Sequence, residues 1–170
     1  MTATEFAWSS ASEIAAAINS GRATARGITQ AALNRIRARD PSLNAFTTVT
    51  EQRALTKAQA IDAAYARGET LPPLAGVPFA VKNMFDIAGL PTRAGSRINR
   101  DAQPATHDAA LIARLDAAGA VLIGALNMGE YAYDFTGENV HDGPSRNPHD
   151  LKRMSGGSSG GSAAPARFRS

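Results

Sequence analysis

The run Ser155-Gly156-Gly157-Ser158-Ser159-Gly160-Gly161-Ser162 consists of glycine and serine alone. Such a run buries no apolar side chain, so it is either a flexible linker or a backbone that bends to place hydroxyls and amides around a reacting group. Glycine permits the bend because it reaches backbone angles that other residues resist. The segments that precede the run decide between these two interpretations.

Helices and strands are predicted to alternate before this run. Ser10 and Glu13 form a capping box for a helix that stops at Gly21, and Thr24 caps a second helix that ends before Asp40-Pro41. The further predicted elements are a strand at 43–49, a helix at 51–67, a strand at 77–81, a loop at 83–97, a helix from Thr106 to Gly119, a buried strand at 120–123, a short helix at 128–135 and a polar stretch at 136–153 with a turn at Asn147-Pro148. This order predicts an α/β fold, with N-terminal helices followed by alternating helices and strands of a mixed, partly parallel sheet.

The composition is typical of a soluble globular protein and excludes several kinds of site. Of the 170 residues, 44% are hydrophobic and 19% are charged, and none is cysteine, which excludes disulfides, thiolate metal sites and a cysteine nucleophile. The net charge of +3 contains no basic run, and no apolar run is long enough to span a membrane. Residues 1–5 lack the pattern of a signal peptide. We therefore expect a cytoplasmic protein that binds neither nucleic acid nor membranes.

Three kinds of site have weak signals. Gly156 and Gly161 have the spacing of a phosphate-binding loop, but Ser162 stands where that motif requires lysine. The three histidines show no paired-ligand spacing, so capping or surface roles are favoured over metal binding; they are His107, His141 and His149. Scattered carboxylates are usually solvated or capping groups, and Asp86, Glu130, Asp134 and Glu138 are interpreted in that way.

Lys82 follows the apolar segment 77–81 and precedes a loop. A lysine acts as a general base only when it is neutral, which requires burial or a cationic neighbour. Taken alone, Lys82 is more simply interpreted as a charged side chain that faces water at a strand end.

Three segments taken together favour a catalytic role for Lys82, because they resemble the amidase signature family. Residues 74–83 (LAGVPFAVKN) resemble its lysine segment, residues 124–131 (GALNMGEY) resemble its strand and Asn-Met-x-Glu-Phe step, and residues 156–164 (GGSSGGSAA) resemble its Gly/Ser signature. The order and spacing match as well, and the resemblance runs from about Ser10 to Ala164. Residues 138–150 most resemble the carboxybiuret hydrolase-like branch of the family.

The resemblance implies hydrolysis of a small-molecule amide by a Ser–cis-Ser–Lys triad, without a cofactor or a metal. Lys82 matches the base and Ser158 matches the bridging serine, so the Gly157–Ser158 peptide bond is expected to be cis. Neutral Lys82 would draw a proton through Ser158 from a nucleophilic serine, which attacks the amide carbonyl. Ser159 and Ser162 are expected to be turn and helix-cap hydroxyls.

The resemblance places the nucleophile beyond Ser170, so no residue of this chain is assigned that role, and the substrate-binding residues stay unassigned. We expect residues 1–170 to form a single incomplete amidase domain, with an N-terminal helical region at 1–68, the start of the catalytic core at 69–164 and an atypical tail at 165–170. Arg167 and Phe168 stand where the family has small residues, which we interpret as truncation or a frameshift near Ala164. We expect this chain alone to be inactive and marginally folded.

Two other interpretations stay open. Within the same fold, the chain is an amide-hydrolysing subunit of a tRNA amidotransferase, which would hydrolyse glutamine beside a tRNA-binding partner. In a different class, it is a non-catalytic module whose Gly/Ser run is a linker. The substrate is expected to be a linear or urea-like amide, and the choice between a homo-oligomer and binding to a small partner subunit is left open.

Overall fold

A computed structural model describes residues 3–164 of the chain. In chain order the elements are a 3-10 helix (Ala3–Trp8), α1 (Ala11–Asn19), α2 (Ala25–Leu43), β1 (Phe46–Val49), α3 (Glu51–Ala66), β2 (Pro78–Lys82), α4 (Ala110–Ala117), β3 (Val121–Leu126), a 3-10 turn (Glu130–Ala132), β4 (Arg146–Asn147), β5 (Asp150–Met154) and α5 (Gly160–Ala163). N-terminal helices followed by alternating strands and helices confirm the predicted fold class. Among residues 3–164, no helix combines the length and the apolar character needed to cross a membrane.

The central sheet contains three strands in the order β1-β3-β2. β1 runs antiparallel to β3. β2 runs parallel to β3, since the Val121 N–H bonds the Val77 carbonyl at one end (2.8 Å) and the Asn83 N–H bonds the Leu126 carbonyl at the other (3.0 Å). The sheet is therefore mixed, as predicted. All six residues of β3 are buried, and a strand lies along each of its edges, as a continuous apolar strand requires.

The chain divides into two compact units, each of which is discontinuous in sequence. The first contains Met1–Arg37, Thr50–Phe79 and Leu111–Ile123, and the second contains Ala38–Val49, Ala80–Ala110 and Gly124–Ser170.

The first unit has an apolar core with capped helices. Its most buried side chains include Ile18 of α1, Leu33 of α2 and Ile112 of α4. The predicted capping box is confirmed at the start of α1, where the Glu13 N–H bonds the Ser10 hydroxyl and the Ser10 N–H bonds the Glu13 carboxylate. These contacts satisfy backbone donors that a helix leaves unpaired in its first turn.

The second unit contains buried asparagine side chains that bond backbone carbonyls. The Asn127 amide donates to the carbonyls of Asn44 (3.1 Å) and Gly143 (2.9 Å). The Asn139 amide donates to the carbonyls of Gly95 and Met128, each at 2.7 Å. Buried polar groups of this kind stabilise a fold only when they are paired, and both amides are paired here. They hold irregular segments together where helices and strands are few.

Helix α2 extends further than the sequence predicts. It continues through Asp40 and Pro41 to Leu43, so the prediction that it ends before Asp40-Pro41 was wrong. The Asn44 N–H bonds the Asp40 carbonyl at 2.8 Å and closes one more turn. The Asp40 carboxylate also accepts the N–H groups of Ala45 (2.7 Å) and Phe46 (3.2 Å). These bonds offset the one that Pro41 cannot make because it lacks an N–H.

The fourth helix begins later than predicted. Helix α4 starts at Ala110, so the prediction that Thr106 caps it was wrong. The Thr106 hydroxyl instead bonds the ring of His107 (3.0 Å), and the Ala109 N–H bonds the Asp86 carbonyl (2.8 Å). Because these groups are used outside the helix, the chain stays irregular up to Ala109.

The predicted helix at 128–135 is also wrong, because only the 3-10 turn Glu130–Ala132 forms there. Tyr131 and Ala132 have φ values of 48° and 61°, which an α-helix does not allow. The Tyr131 N–H bonds the Ala94 carbonyl at 2.8 Å instead of a carbonyl of a preceding turn. A contact that is distant in sequence therefore overrides the local helical preference.

A short hairpin occupies the polar stretch that the sequence predicts as turns and loop. Strands β4 and β5 pair antiparallel. The predicted turn at Asn147-Pro148 joins them, and the Asn147 side chain accepts the His149 N–H at 2.9 Å. The two strands are largely exposed, so no alternation of apolar residues marks them in the sequence.

Candidate active site

Lys82 is the last residue of β2 and lies in the second unit. Its backbone is held on both sides, because Val81 is buried and the N–H of Asn83 bonds the carbonyl of Leu126. The Lys82 carbonyl accepts the N–H of Phe85 at 3.1 Å, which begins the loop after the strand. The side chain therefore leaves the sheet from a fixed point.

The Lys82 ammonium nitrogen contacts the Gly/Ser run directly. Lys82 Nζ donates a hydrogen bond to Ser158 Oγ over 2.8 Å. The Gly157–Ser158 peptide bond is cis, as the resemblance implied. The Ser158 carbonyl accepts the N–H of Gly129 at 2.9 Å, so the serine is held from its backbone as well as from its hydroxyl. The structure thus places Lys82 and Ser158, the two sequence-predicted site residues, in contact.

The environment of Lys82 changes its acid–base behaviour. Burial lowers the pKa of Lys82 below the ordinary lysine value, and the negative charge of Asp134 partly opposes this change by raising the pKa. A lower pKa increases the fraction of neutral amine at a given pH. Since only the neutral amine accepts a proton, the arrangement favours Lys82 as a general base.

Asp134 is the member of this site that the sequence analysis set aside as a solvated or capping carboxylate. Its carboxylate accepts the Thr136 N–H (2.8 Å), the Thr136 hydroxyl (2.6 Å) and the Gly137 N–H (2.7 Å). Limited burial raises the pKa of Asp134, but these hydrogen bonds outweigh it and hold the pKa below the ordinary aspartate value. The Asp-x-Thr-Gly pattern at 134–137 is typical of a turn capped by the aspartate side chain. Nothing in the sequence indicates that Asp134 lies close to Lys82.

The Gly/Ser run is folded, with backbone contacts along its length. The Gly156 N–H bonds the Thr136 carbonyl (3.1 Å), the Gly157 N–H bonds the Phe135 carbonyl (2.9 Å) and the Gly161 N–H bonds the Asn127 carbonyl (2.8 Å). Gly161 has no room for a side chain, since an added Cβ would lie 2.6 Å from the Asn127 nitrogen. Gly161 is therefore used for close approach to the backbone of another segment.

Two further serines of the run, Ser159 and Ser162, have exposed positions around α5. Ser159 stands at the N-cap position, but its side chain makes no capping hydrogen bond. Its carbonyl accepts the N–H groups of Ser162 (3.0 Å) and Ala163 (3.1 Å). Ser159 therefore stands at a cap position without a capping hydrogen bond from its hydroxyl, and Ser162 lies within α5 and not at a cap.

Glu130, Asp86 and His107, which the sequence also singled out, have partners outside this site. Glu130 accepts hydrogen bonds from Ser96 (2.6 Å) and from the His141 ring (3.1 Å). Asp86 accepts a hydrogen bond from the Thr92 hydroxyl, and the His107 ring bonds Thr106. The Glu130 contacts join separate loops of the second unit, whereas the other two are local.

Comparison with known proteins identifies the family. The profile of the amidase family matches residues 27–165. The chain is 60% identical over 152 residues to AtzE, a subunit of 1-carboxybiuret hydrolase from Pseudomonas sp. (strain ADP), and the match covers 89% of this chain and 33% of that protein. It is 47% identical over 152 residues to a glutamyl-tRNA(Gln) amidotransferase subunit of Acidothermus cellulolyticus, with 89% and 30% covered.

A solved structure gives the same result. The structure of an inhibitor-bound vestigial protein complex, which concerns the evolutionary origins of an s-triazine catabolic enzyme, matches with a TM-score of 0.88 and 60% identity. The match covers 89% of this chain and 33% of that one. The chain thus spans about a third of the length of the relatives it matches. With both Lys82 and Ser158 inside the matched region, this chain belongs to the amidase signature family.

Proposed function

We propose that this chain carries the proton relay of an amide hydrolase, with Lys82 as the general base and Ser158 as the bridging hydroxyl. The observation that carries the proposal is the 2.8 Å contact between Lys82 Nζ and Ser158 Oγ. The lowered pKa of Lys82 supports it, because a relay that starts from lysine requires the neutral amine.

In the proposed reaction the protons move along one line. Lys82 accepts the Ser158 hydroxyl proton, and Ser158 takes the proton of a nucleophilic serine, which the family resemblance places beyond Ser170. The nucleophile oxygen bonds the amide carbonyl carbon, and the C–N bond then breaks as the amine leaves with a proton returned through Ser158. Water hydrolyses the resulting acyl-enzyme by the same relay. General acid–base catalysis of this kind contributes roughly 10²- to 10⁴-fold to the rate.

The contacts of the Gly/Ser run favour this function over a linker. A linker serves by its flexibility and needs no fixed partner for its backbone. The run instead bonds the segment 135–136 through Gly156 and Gly157, and Gly129 through the Ser158 carbonyl. A fixed position for Ser158 is what a relay requires, because proton transfer needs hydrogen-bond distances.

The proposed substrate is a small, linear, urea-like amide. The support is the 60% identity to a protein named as a 1-carboxybiuret hydrolase subunit. The second candidate is glutamine hydrolysis in a tRNA amidotransferase, and it is supported by the 47% identity to a glutamyl-tRNA(Gln) amidotransferase subunit. Both relatives are named as subunits, which supports the further proposal that this protein works with a partner subunit.

This function is tested by measuring amide hydrolysis in a mixture of this chain and a second polypeptide that supplies the remaining two thirds of the Pseudomonas relative. We expect ammonia release from the mixture with 1-carboxybiuret and little with glutamine, whereas the reverse preference favours the amidotransferase. Lys82→Met and Ser158→Ala are each expected to lower the rate by about 10³-fold. Lys152→Met is the control, because Lys152 is exposed on β5.

A mixture in which Lys82→Met keeps more than a tenth of the activity contradicts the proposed base. A second measurement needs only this chain. The chain contains three lysines, Lys57, Lys82 and Lys152, so isotope labelling of lysine gives three side-chain NMR signals, which Lys57→Arg and Lys152→Arg assign. Lys82 is expected to titrate below the ordinary lysine value of about 10.4, and titration of Lys82 at that value contradicts the proposal.

A further inference from the structure

The carboxylate of Asp134 stands between the segment that carries Ser158 and the segment that holds it. An added Cβ on Gly157 would lie 2.5 Å from Asp134 Oδ2, and an added Cβ on Gly129 would lie at the same distance from that atom. Gly157 precedes Ser158 in the chain, and the Gly129 N–H bonds the Ser158 carbonyl. The two glycines therefore bring the backbone on both sides of Ser158 close to one carboxylate.

The turn that Asp134 organises also holds the Gly/Ser run. Asp134 bonds the N–H groups of Thr136 and Gly137, which fixes the turn at 134–137. The carbonyls of Phe135 and Thr136 in that turn accept the N–H groups of Gly157 and Gly156. Two backbone hydrogen bonds thus connect the Asp134 turn to the residues immediately before Ser158.

Asp134 also supplies the charge that acts on Lys82. Lys82 is the charged residue of β2, the Gly/Ser run carries no charged side chain, and strands β1 and β3 carry none. Glu130, on the preceding turn, is engaged by Ser96 and His141. The interaction with Asp134 raises the pKa of Lys82 against the effect of burial, and the pKa of Asp134 is itself held low, so its carboxylate is ionised at neutral pH.

We propose that Asp134 is a positioning residue of the relay, which holds Ser158 in place through the 134–137 turn and stabilises the protonated form of Lys82 through its charge. This inference rests on the proposed function of Lys82 and Ser158. When Lys82 accepts the relayed proton, an ammonium forms in a partly buried site, and the negative charge of Asp134 lowers the free energy of that ammonium. In this proposal Asp134 neither donates nor accepts a relayed proton.

The test follows the pKa of Lys82 in the 170-residue chain by NMR of labelled lysine side chains. In Asp134→Asn we expect Lys82 to titrate at a lower pH than in the wild type, because the opposing charge is gone while an oxygen acceptor for the turn is kept. Asp134→Ser, in which a hydroxyl serves as the turn acceptor, carries the same expectation if the asparagine variant does not fold. Asp150→Asn is the matched control and leaves the Lys82 titration unchanged, since Asp150 lies on the exposed hairpin.

A third measurement requires no variant. Raising the salt concentration to about 1 M shortens the Debye length to about 3 Å and screens the pair, so the pKa of Lys82 in the wild type is expected to fall. No shift with salt and none in the folded Asp134 variants overturns the role of Asp134. If wild-type Lys82 titrates at the ordinary lysine value, the proposed function itself fails, and the two failures are thereby distinguished.

Discussion

Lys82 Nζ and Ser158 Oγ form a 2.8 Å hydrogen bond although 76 positions separate the two residues in the sequence. Neither residue is placed by its own neighbours alone. Strand β2 fixes Lys82, and the hydrogen bonds of Gly129, Phe135 and Thr136 fix the segment around Ser158. The Lys82–Ser158 hydrogen bond therefore depends on the packing of the second unit.

Lys82 is expected to make the stability of the chain depend on alkaline pH. Burial lowers the pKa of Lys82 in the folded state, so between this pKa and the unfolded value of about 10.4 the unfolded chain binds more protons. Lys82 should therefore increase the free energy of unfolding as the pH rises through that range. Lys82→Met removes this gain.

Urea unfolding at several pH values between about 7 and 10 measures the effect, with Lys152→Met as the control. If the wild type and Lys82→Met follow parallel stability curves over that range, Lys82 has an unshifted pKa.

Gly161→Ala is expected to destabilise the chain by about 2–3 kcal/mol, because the added methyl group meets backbone that cannot move aside. The group would lie 2.6 Å from the Asn127 nitrogen and 2.9 Å from the Asn127 carbonyl oxygen. Gly156→Ala is the comparison, because nothing lies within 4 Å of its Cβ position and only its positive φ of 86° opposes a side chain. That strain costs about 1 kcal/mol. Equal losses in chemical denaturation would refute the close approach at Gly161.

Variants of Asp40 are expected to separate the effect of its charge on stability from the effect of its hydrogen bonds. Burial raises the pKa of Asp40, whereas hydrogen bonds from Ala45 and Phe46 lower it and only partly compensate. A raised folded-state pKa means that the contribution of Asp40 to stability is complete below the unfolded value of about 3.9 and is lost as the pH rises through the folded value.

Asp40→Asn keeps an oxygen acceptor for both N–H groups and is expected to remove this loss. Asp40→Ala removes the acceptor and should cost about 1–2 kcal/mol at all pH values. Thermal unfolding at about pH 4 and pH 7 compares the variants. A stability of Asp40→Asn that falls with pH in the same way as the wild type would show that another group causes the dependence.

Asn127→Ala is expected to cost about 3 kcal/mol, since it removes the side-chain hydrogen bonds to two partly buried carbonyls and to the buried Met128 N–H. Asn147→Ala is the control, because it loses one bond to the His149 N–H in a partly exposed turn and should cost about 1 kcal/mol. Denaturant midpoints measure both. A loss at Asn127 no larger than at Asn147 would mean that water replaces the missing amide.

Local signals predicted much of the fold and failed where a side chain bonds the backbone or where a contact distant in sequence intervenes. The capping box at Ser10, the helix that closes before Gly68 and the buried strand β3 were each predicted from a few adjacent residues. The extension of α2 past Pro41 and the loss of the helix at 128–135 were not. The first depends on the Asp40 carboxylate, and the second depends on a bond from Tyr131 to Ala94.

The sequence by itself determined the order of most helices and strands, the family and the identity of the lysine and serine segments. Helix caps, glycines at helix ends, apolar runs and motifs are properties of neighbouring residues, so they can be recognised from the sequence alone. Only the tertiary structure decided that burial lowers the pKa of Lys82 and that the charge of Asp134 opposes this change. Both effects depend on desolvation and on distances between residues far apart in the chain, and packing alone sets these.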